Sequence, residues 1–478
     1  MNSFKKNLIT VYSVNIINGF LSILFVPLCL NLIGAEGYGL LSIYTVLASF
    51  IGLTDIGLGR NLQRLLATSQ DINRQKAYLQ SSFGIYLIQA IILLASLPFL
   101  FKYIPEYIFS VSSNNFKELQ WIIALAVIEH VIAIPVAMRQ NLCIANEQFD
   151  RFSTFGVISG VTRYGFMFAG IFIFASPIAV ITLIVSRRLV DLYTSTLFMG
   201  ELPQGSWRPR FVYQEIKAIV RDSLGMSIVQ ALQSIVIAVG SILVNRHYGL
   251  AGLGKYRSAF DLASKVWFFS NGLGLVVFPK FVKRIVNNDG EWFLKVYKFM
   301  NISWAGFNLA SVSITLVAVL FYGYVGIHDR VIVELFVLLL LGICLNAHAN
   351  LSYELLQAAA KYRFLAFITS LSLLIMVTSF YGFQQKVGIH AIGLSWIISQ
   401  AIYSSVSDFV ALVVLQSSSS NILKMLISKL FILLSSSSIL LIYFKNLPIG
   451  LTLLPVVITL SIFIYSILEI RKNVQSYE

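Results

Sequence analysis

The sequence predicts an all-α polytopic membrane protein: two parallel six-helix lobes related by a pseudo-two-fold axis along the membrane normal, plus two C-terminal helices. Three observations carry this. Of 478 residues, 57% are hydrophobic and 12% charged, against roughly 25% charged in an average soluble chain. Uncharged runs long enough to cross a bilayer recur along the whole length. A glycine-punctuated pattern near the start returns once, 215 residues later.

A helix needs about 20 apolar residues to span the hydrocarbon core. On that criterion spans fall at 7–35, 37–54, 77–101, 119–138, 152–174, 178–199, 223–245, 256–279, 299–323, 331–353, 364–383 and 391–415. The tail adds a weak span at 430–444 and a stronger one at 449–468, for about fourteen in all. Domain limits follow: an N-terminal lobe at 1–200, a cytoplasmic linker at 201–222, a C-terminal lobe at 223–415, and additional spans with a tail at 416–478. The longest loop, 200–222, is too short to fold alone, so the function lies within the membrane.

Lys and Arg are retained on the cytoplasmic side. With the N-terminus inside, twenty-three fall on cytoplasmic segments and seven on external ones, the other five lying inside spans. An even number of spans puts both termini in the cytoplasm. The net charge of +14 then reads as topology and contact with anionic lipid, with no nucleic acid needed. The N-terminal apolar run is far longer than a signal-peptide h-region and lacks a small-residue cleavage site, so the first span is expected to stay attached. Cys29, Cys143 and Cys344 show neither a disulfide framework nor zinc spacing.

The repeat pairs Gly34, Gly37 and Gly39 with Gly249, Gly252 and Gly254, then Leu47-Ala48-Ser49 with Leu262-Ala263-Ser264, then Gly57-Leu58-Gly59 with Gly272-Leu273-Gly274. The first cluster of each copy is expected to form an external turn, where glycine permits positive φ. Six spans separate the copies, so the halves face the same way. Such lobes can rock and expose a central site alternately to each side. Gly249 to Lys255 imitates a phosphate-binding loop, but Tyr256 replaces the magnesium-binding hydroxyl residue and no strand precedes it. No nucleotide site is expected.

Charges within a bilayer are costly and mark function by default. The mid-span cations are Arg163, Arg187, Arg188, Arg257 and Lys265, with Asp191 and Asp261 in the same spans. Arg187 and Asp191 are four residues apart, and Arg257, Asp261 and Lys265 form an i, i+4, i+8 ladder that shares one helical face. Structural ion pairing between helices is one reading. The other is a wet cavity whose excess of three positive charges receives an anionic headgroup, a task suited to the bidentate guanidinium. Lys265 and Arg163 lie deepest in their spans; Arg257 is also placed to snorkel to the external surface. Glu129, His130, Asp55, Asp261 and Asp191 are candidates for ion or proton coupling, histidine because it titrates near neutral pH. Gly156 and Gly160 make a small-residue pair suited to close helix packing. No catalytic, metal or cofactor site is expected, though coupling to H⁺, Na⁺ or membrane potential is open.

Residues 30–64, with the Gly34 to Gly39 turn followed by Asp55, Gly57, Gly59 and Arg60, resemble the opening of polysaccharide-biosynthesis flippases of the Wzx type, in the multidrug/oligosaccharidyl-lipid/polysaccharide exporter superfamily. The resemblance covers roughly residues 5–415. It implies a flippase that moves undecaprenyl-diphosphate-linked oligosaccharide to the periplasmic leaflet of the bacterial cytoplasmic membrane, for O-antigen or another surface polysaccharide, beside membrane lipids and a polysaccharide polymerase. It also implies a cationic central cavity, to which Lys265 and Arg60 would contribute. The interior acids depart from a purely cationic cavity. The alternatives are an ion-coupled multidrug cation antiporter of the same superfamily, and a membrane-embedded glycosyltransferase or ligase. The antiporter would want an acid in the first or seventh span, and 7–35 and 223–245 contain none. The enzyme would want a large external loop, and the longest, 102–118, is short.

Overall fold

A computed structural model describes residues 2–52, 58–69, 71–109, 115–146, 148–267, 270, 281 and 329–414. Among these every regular element is helical: α1 (Asn2–Gly52), α2 (Leu58–Thr68), α3 (Ile72–Tyr103), α4 (Phe116–Ala145), α5 (Phe149–Phe174), α6 (Pro177–Met199), α7 (Tyr213–Ala263), α8 (Arg330–Ala358), α9 (Tyr362–Val387) and α10 (Ala391–Val414). The spans expected at 299–323, 430–444 and 449–468 lie outside the described residues.

The helix ends follow local chemistry. Asp71 caps α3 by accepting from the Asn73 amide, and Asp329 caps α8 by accepting from the Val331 amide. Each satisfies one of the amides that an initial turn leaves unpaired. Pro177 opens α6, where a missing N–H costs nothing. α1 and α7 each run through a bend at a single glycine, Gly34 (φ 71°, ψ 178°) and Gly249 (φ 68°, ψ −172°). The expected positive φ is therefore present at both, in nearly identical backbone. Gly37, Gly39, Gly252 and Gly254 are helical instead, so the expected turn narrows to a bend at one residue per copy.

Seven described stretches are long and apolar enough to cross a membrane: Ile17–Gly52, Ile72–Ile108, Phe116–Ala145, Phe149–Phe174, Ser227–Val266, Arg330–Ala358 and Tyr362–Val413. α6 is helical across its full length but carries Arg187, Arg188 and Asp191. Large apolar side chains project outward, among them Phe20, Ile91, Trp121, Phe172, Leu189 and Phe367. On a soluble protein such a surface would be an aggregation hazard; on lipid-facing helices it is the required one. The chain is a multi-pass helical membrane protein.

Contacts divide the chain into two compact units, Met1–Ser258 and Ala259–Glu478. In the first, α5 packs on α1 and α6, and α4 packs on α1, α2, α3 and α6. An apolar cluster of Leu58, Leu62 and Leu66 from α2, Tyr78, Leu79 and Tyr86 from α3, and Ile134 and Met138 from α4 also takes in Leu202 and Ile219. In the second unit α10 lies against both α8 and α9. Gly393 and Gly342 supply close approach there: a Cβ on either would stand within 2.6 Å of Leu338 or within 2.3 Å of Trp396, respectively.

Candidate functional site

Four helices of the first unit converge on one charged network. α6 turns Arg187 and Asp191 to the same side, as their spacing predicts, and Arg187 Nη2 lies 2.7 Å from Asp191 Oδ2. Arg187 also donates through Nη1 to the Ser159 carbonyl of α5 at 2.7 Å and to Ser159 Oγ at 3.0 Å. Arg188 reaches the other way: its Nε donates to Glu129 Oε1 of α4 at 2.8 Å, and its Nη1 to Asp191 Oδ2 at 3.1 Å. Tyr44 of α1 closes the chain by donating its hydroxyl to Glu129 Oε2. Two carboxylates thus face two guanidiniums. Side-chain exposure is 3% for Arg187 and 1% for Asp191, but 28% for Arg188, so Arg188 is where this network meets its surroundings.

The sequence count of an excess of three positive charges left Glu129 aside. The structure spends that carboxylate on Arg188, 59 residues away. Arg163 on α5 is exposed and within electrostatic reach of Tyr44 and Arg187. It brings a positive charge beside the balanced network. His130 senses both Glu129 and Arg188, and its buried Nε2 has no hydrogen-bond partner among the described residues.

The other expected site residues fall elsewhere. Arg257 is buried, with Nη2 donating to Thr45 Oγ1 at 3.3 Å, so it turns into the protein and does not snorkel out. α7 ends at Ala263 and Lys265 sits in the 3₁₀ turn Ser264–Val266. That tightens the i, i+4, i+8 ladder at its last rung and swings Lys265 away from an ideal α-helical face, because 3₁₀ geometry advances side chains by 120° per residue. Lys265 and Asp261 are both half-buried. Asp55 lies outside the described residues, as does the side chain of Arg60, whose backbone belongs to α2. Gly160 does mark close packing: a Cβ there would meet the Asn18 amide oxygen at 1.9 Å.

Sequence reasoning missed four participants. Tyr44 and Ser159 carry no charge and gave no signal. In the second unit Asp408 of α10 and His348 of α8 are buried together, with His348 Nδ1 3.5 Å from both Asp408 Oδ2 and Ser404 Oγ. Ser352 donates to Asp408 Oδ1. Both ionisable residues interrupt runs read as apolar, and a lone acid in such a run was the available signal.

A helical bundle in two units, with glycine-bent spans and a charged network between spanning helices, is the build of a membrane transporter. Residues 4–284, more than half of the chain, match the family of polysaccharide biosynthesis proteins, and the chain belongs to that family. A Shigella flexneri protein whose name assigns it to O-antigen transport is 21% identical over 377 residues, covering 77% of this chain and 87% of that protein. The structure of the lipid II flippase MurJ, in an inward closed conformation, superposes with a TM-score of 0.66 at 13% identity, covering 99% of this chain and 100% of MurJ. An inward-facing multidrug resistance MATE transporter of the MOP superfamily gives a TM-score of 0.60 at 14% identity, covering 85% of this chain and 94% of its own. These relatives are transporters and flippases, not enzymes.

Proposed function

We propose that this protein is a flippase for undecaprenyl-diphosphate-linked oligosaccharide, carrying it from the cytoplasmic to the periplasmic leaflet of the bacterial cytoplasmic membrane for O-antigen or another surface polysaccharide. The arrangement that belongs to this reading has about fourteen spans, two six-helix lobes at 1–200 and 223–415 joined by 201–222, and both termini in the cytoplasm. Family membership supports it, as does the relative named for O-antigen transport.

The observation that carries it is exposed Arg163 beside a network of two guanidiniums and two carboxylates that sums to neutral, with Arg188 the network's accessible arginine. Guanidinium groups grip phosphate oxygens in two-point contacts, and in a low-dielectric setting an unneutralised cation seeks an anion. Lys265, Arg257, Arg60 and Arg187 complete the set considered for the headgroup, with Arg187 mainly holding Asp191. Glu129, His130, Asp191, Asp261 and Asp55 are the groups considered for coupling to H⁺, Na⁺ or membrane potential. Likeness to a multidrug transporter fold favours a second reading, an ion-coupled cation antiporter.

Sidedness of a polyprenyl-diphosphate oligosaccharide in proteoliposomes separates the two. With an outside-acting probe, wild type moves the lipid, while folded Lys265→Ala and Arg163→Ala variants do not. Ion-driven efflux of organic cations without movement of lipid-linked sugar would overturn the flippase reading.

A further inference from the structure

We infer that Glu129 and the diphosphate headgroup compete for Arg188, so that each headgroup bound is accompanied by one proton taken up on Glu129. This deepens the flippase reading and rests on it. Arg188 commits Nε and Nη2 to a single oxygen of Glu129, both at 2.8 Å, and Nη1 to Asp191. The Nε/Nη2 edge, one of the faces by which a guanidinium grips phosphate with two parallel N–H groups, is closed while Glu129 holds it. Asp191 would keep Arg187 as its partner if Arg188 turned away, whereas Glu129 would keep only the Tyr44 hydroxyl as a hydrogen-bond partner among the described residues. A carboxylate 10% exposed and deprived of its cation is destabilised in its charged form. Protonation is the inexpensive escape. Arg188, 28% exposed against 10% for Glu129, is the member of the pair more open to an incoming anion.

The groups that face Glu129 are consistent with one exchangeable proton. α1 presents Tyr44; α5 presents Arg163 and the Ser159 oxygens toward the same network; α6 presents Arg187, Arg188 and Asp191; α4 itself adds His130. Of the other helices packed on α4, α3 contributes Tyr78 and Tyr86, which join the cluster around Ile134 and Met138, at least one turn along α4 from Glu129. Lys76 and Lys102 lie near the ends of α3, and α2 carries Arg60 and Arg64. The exchange balances simply. The Arg188–Glu129 bridge breaks, Glu129 takes a proton from water, and the diphosphate oxygens take the place of the carboxylate; release of the headgroup reverses each step.

The test uses the full-length protein in nanodiscs with farnesyl diphosphate as the probe. Calorimetric titration in buffers of different ionisation enthalpy counts protons for wild type without needing a variant. Uptake approaching one proton per probe is expected, with affinity falling about tenfold per pH unit over the range in which that uptake is seen, as one linked proton requires. Glu129→Gln, which keeps the shape and can accept from Arg188 through its one oxygen while its NH2 donates to the Tyr44 hydroxyl, binds without that uptake and with only the probe's own pH dependence. Glu129→Asp restores the uptake. Wild-type binding without proton uptake, or an unchanged pH slope in folded Glu129→Gln, overturns the inference and leaves the flippase reading standing. Inorganic diphosphate binding and drawing protons as farnesyl diphosphate does overturns the assignment to a lipid-borne headgroup. Absence of wild-type binding to the probe overturns both readings.

Discussion

Gly39 and Gly254 occupy equivalent places in the sequence repeat and make reciprocal backbone contacts. A Cβ on Gly39 would stand 2.3 Å from the Leu250 carbonyl oxygen, and one on Gly254 would stand 1.7 Å from the Ala35 carbonyl oxygen. Ala35 and Leu250 are themselves 215 positions apart, like the two glycines. Each copy therefore uses its glycine to seat the residue that follows the bend of the other.

Alanine at either position must push backbone, not a flexible side chain. Overpacking of that kind costs about 1–3 kcal/mol, and Gly254→Ala, with the shorter approach, should lose more than Gly39→Ala. Thermal unfolding in detergent, followed by size-exclusion fluorescence, measures the order. Gly165→Ala on α5 is the control, since nothing lies within 4 Å of its Cβ; it should be neutral or slightly stabilising. A Gly254→Ala protein melting with wild type would refute the close approach.

The bends at Gly34 and Gly249 test a different term. No atom lies within 4 Å of a Cβ at either site, so space is not at issue. Positive φ combined with ψ near 180° is a region almost restricted to glycine, at a cost of about 1–3 kcal/mol to other residues. Asparagine tolerates left-handed helical backbone but gains nothing at this ψ. Gly249→Asn should therefore destabilise as much as Gly249→Ala, and an asparagine that matched wild type in the same melting assay would contradict the backbone assignment.

What the sequence made legible was local. Apolar runs marked the helices, and α6 emerged intact despite its three charges because the Arg187–Asp191 pair closes within one helix at i,i+4. The shared glycine bend was legible because φ is a property of one residue. Partner choice across helices was not: Tyr44 to Glu129 spans 85 residues and Glu129 to Arg188 spans 59, and nothing local announces such contacts. Lys265 kept its place in the sequence ladder but not strict α-helical register, since it lies in a 3₁₀ turn, two residues of which add about 40° of rotation. Asp408 and His348 were hidden in runs counted as apolar, although they are secluded, at 0% and 2% exposed.

The segment between α6 and α7 is held down, not slack. Trp207 packs edge-on against Phe83 at 5.5 Å and lies under the Arg139 guanidinium at 5.1 Å. Gln80 donates to the Gly205 carbonyl, and the Arg210 amide donates to the Gln80 carbonyl. An aromatic contact of this kind contributes about 0.5–1.5 kcal/mol beyond burial. Trp207→Ala should accordingly raise tryptic cleavage at the exposed Arg210 by roughly two- to tenfold, in proportion to the population of the undocked segment. Cleavage at the wild-type rate would show that the indole does not anchor it.

Arg187 and Asp191 separate a structural ion pair from a substrate site. Asp191→Leu strips Arg187 of its counter-ion and leaves it Ser159 as hydrogen-bond partner among the described residues, whereas Arg187→Met leaves Asp191 still bound to Arg188 at 3.1 Å. Removing one partner of a buried pair costs about 3–5 kcal/mol, while replacing both by apolar residues is often close to neutral. Asp191→Leu should thus be the most damaging single change, Arg187→Met milder, and the double variant more stable than Asp191→Leu alone. On the proposed flippase function, transport of the lipid-linked oligosaccharide should persist in the folded double variant and vanish in Arg188→Met, because Arg188 of the two arginines is the one proposed to meet a headgroup once its bridge to Glu129 opens. Loss of transport in the double variant, at wild-type stability, would instead move the headgroup role onto Arg187.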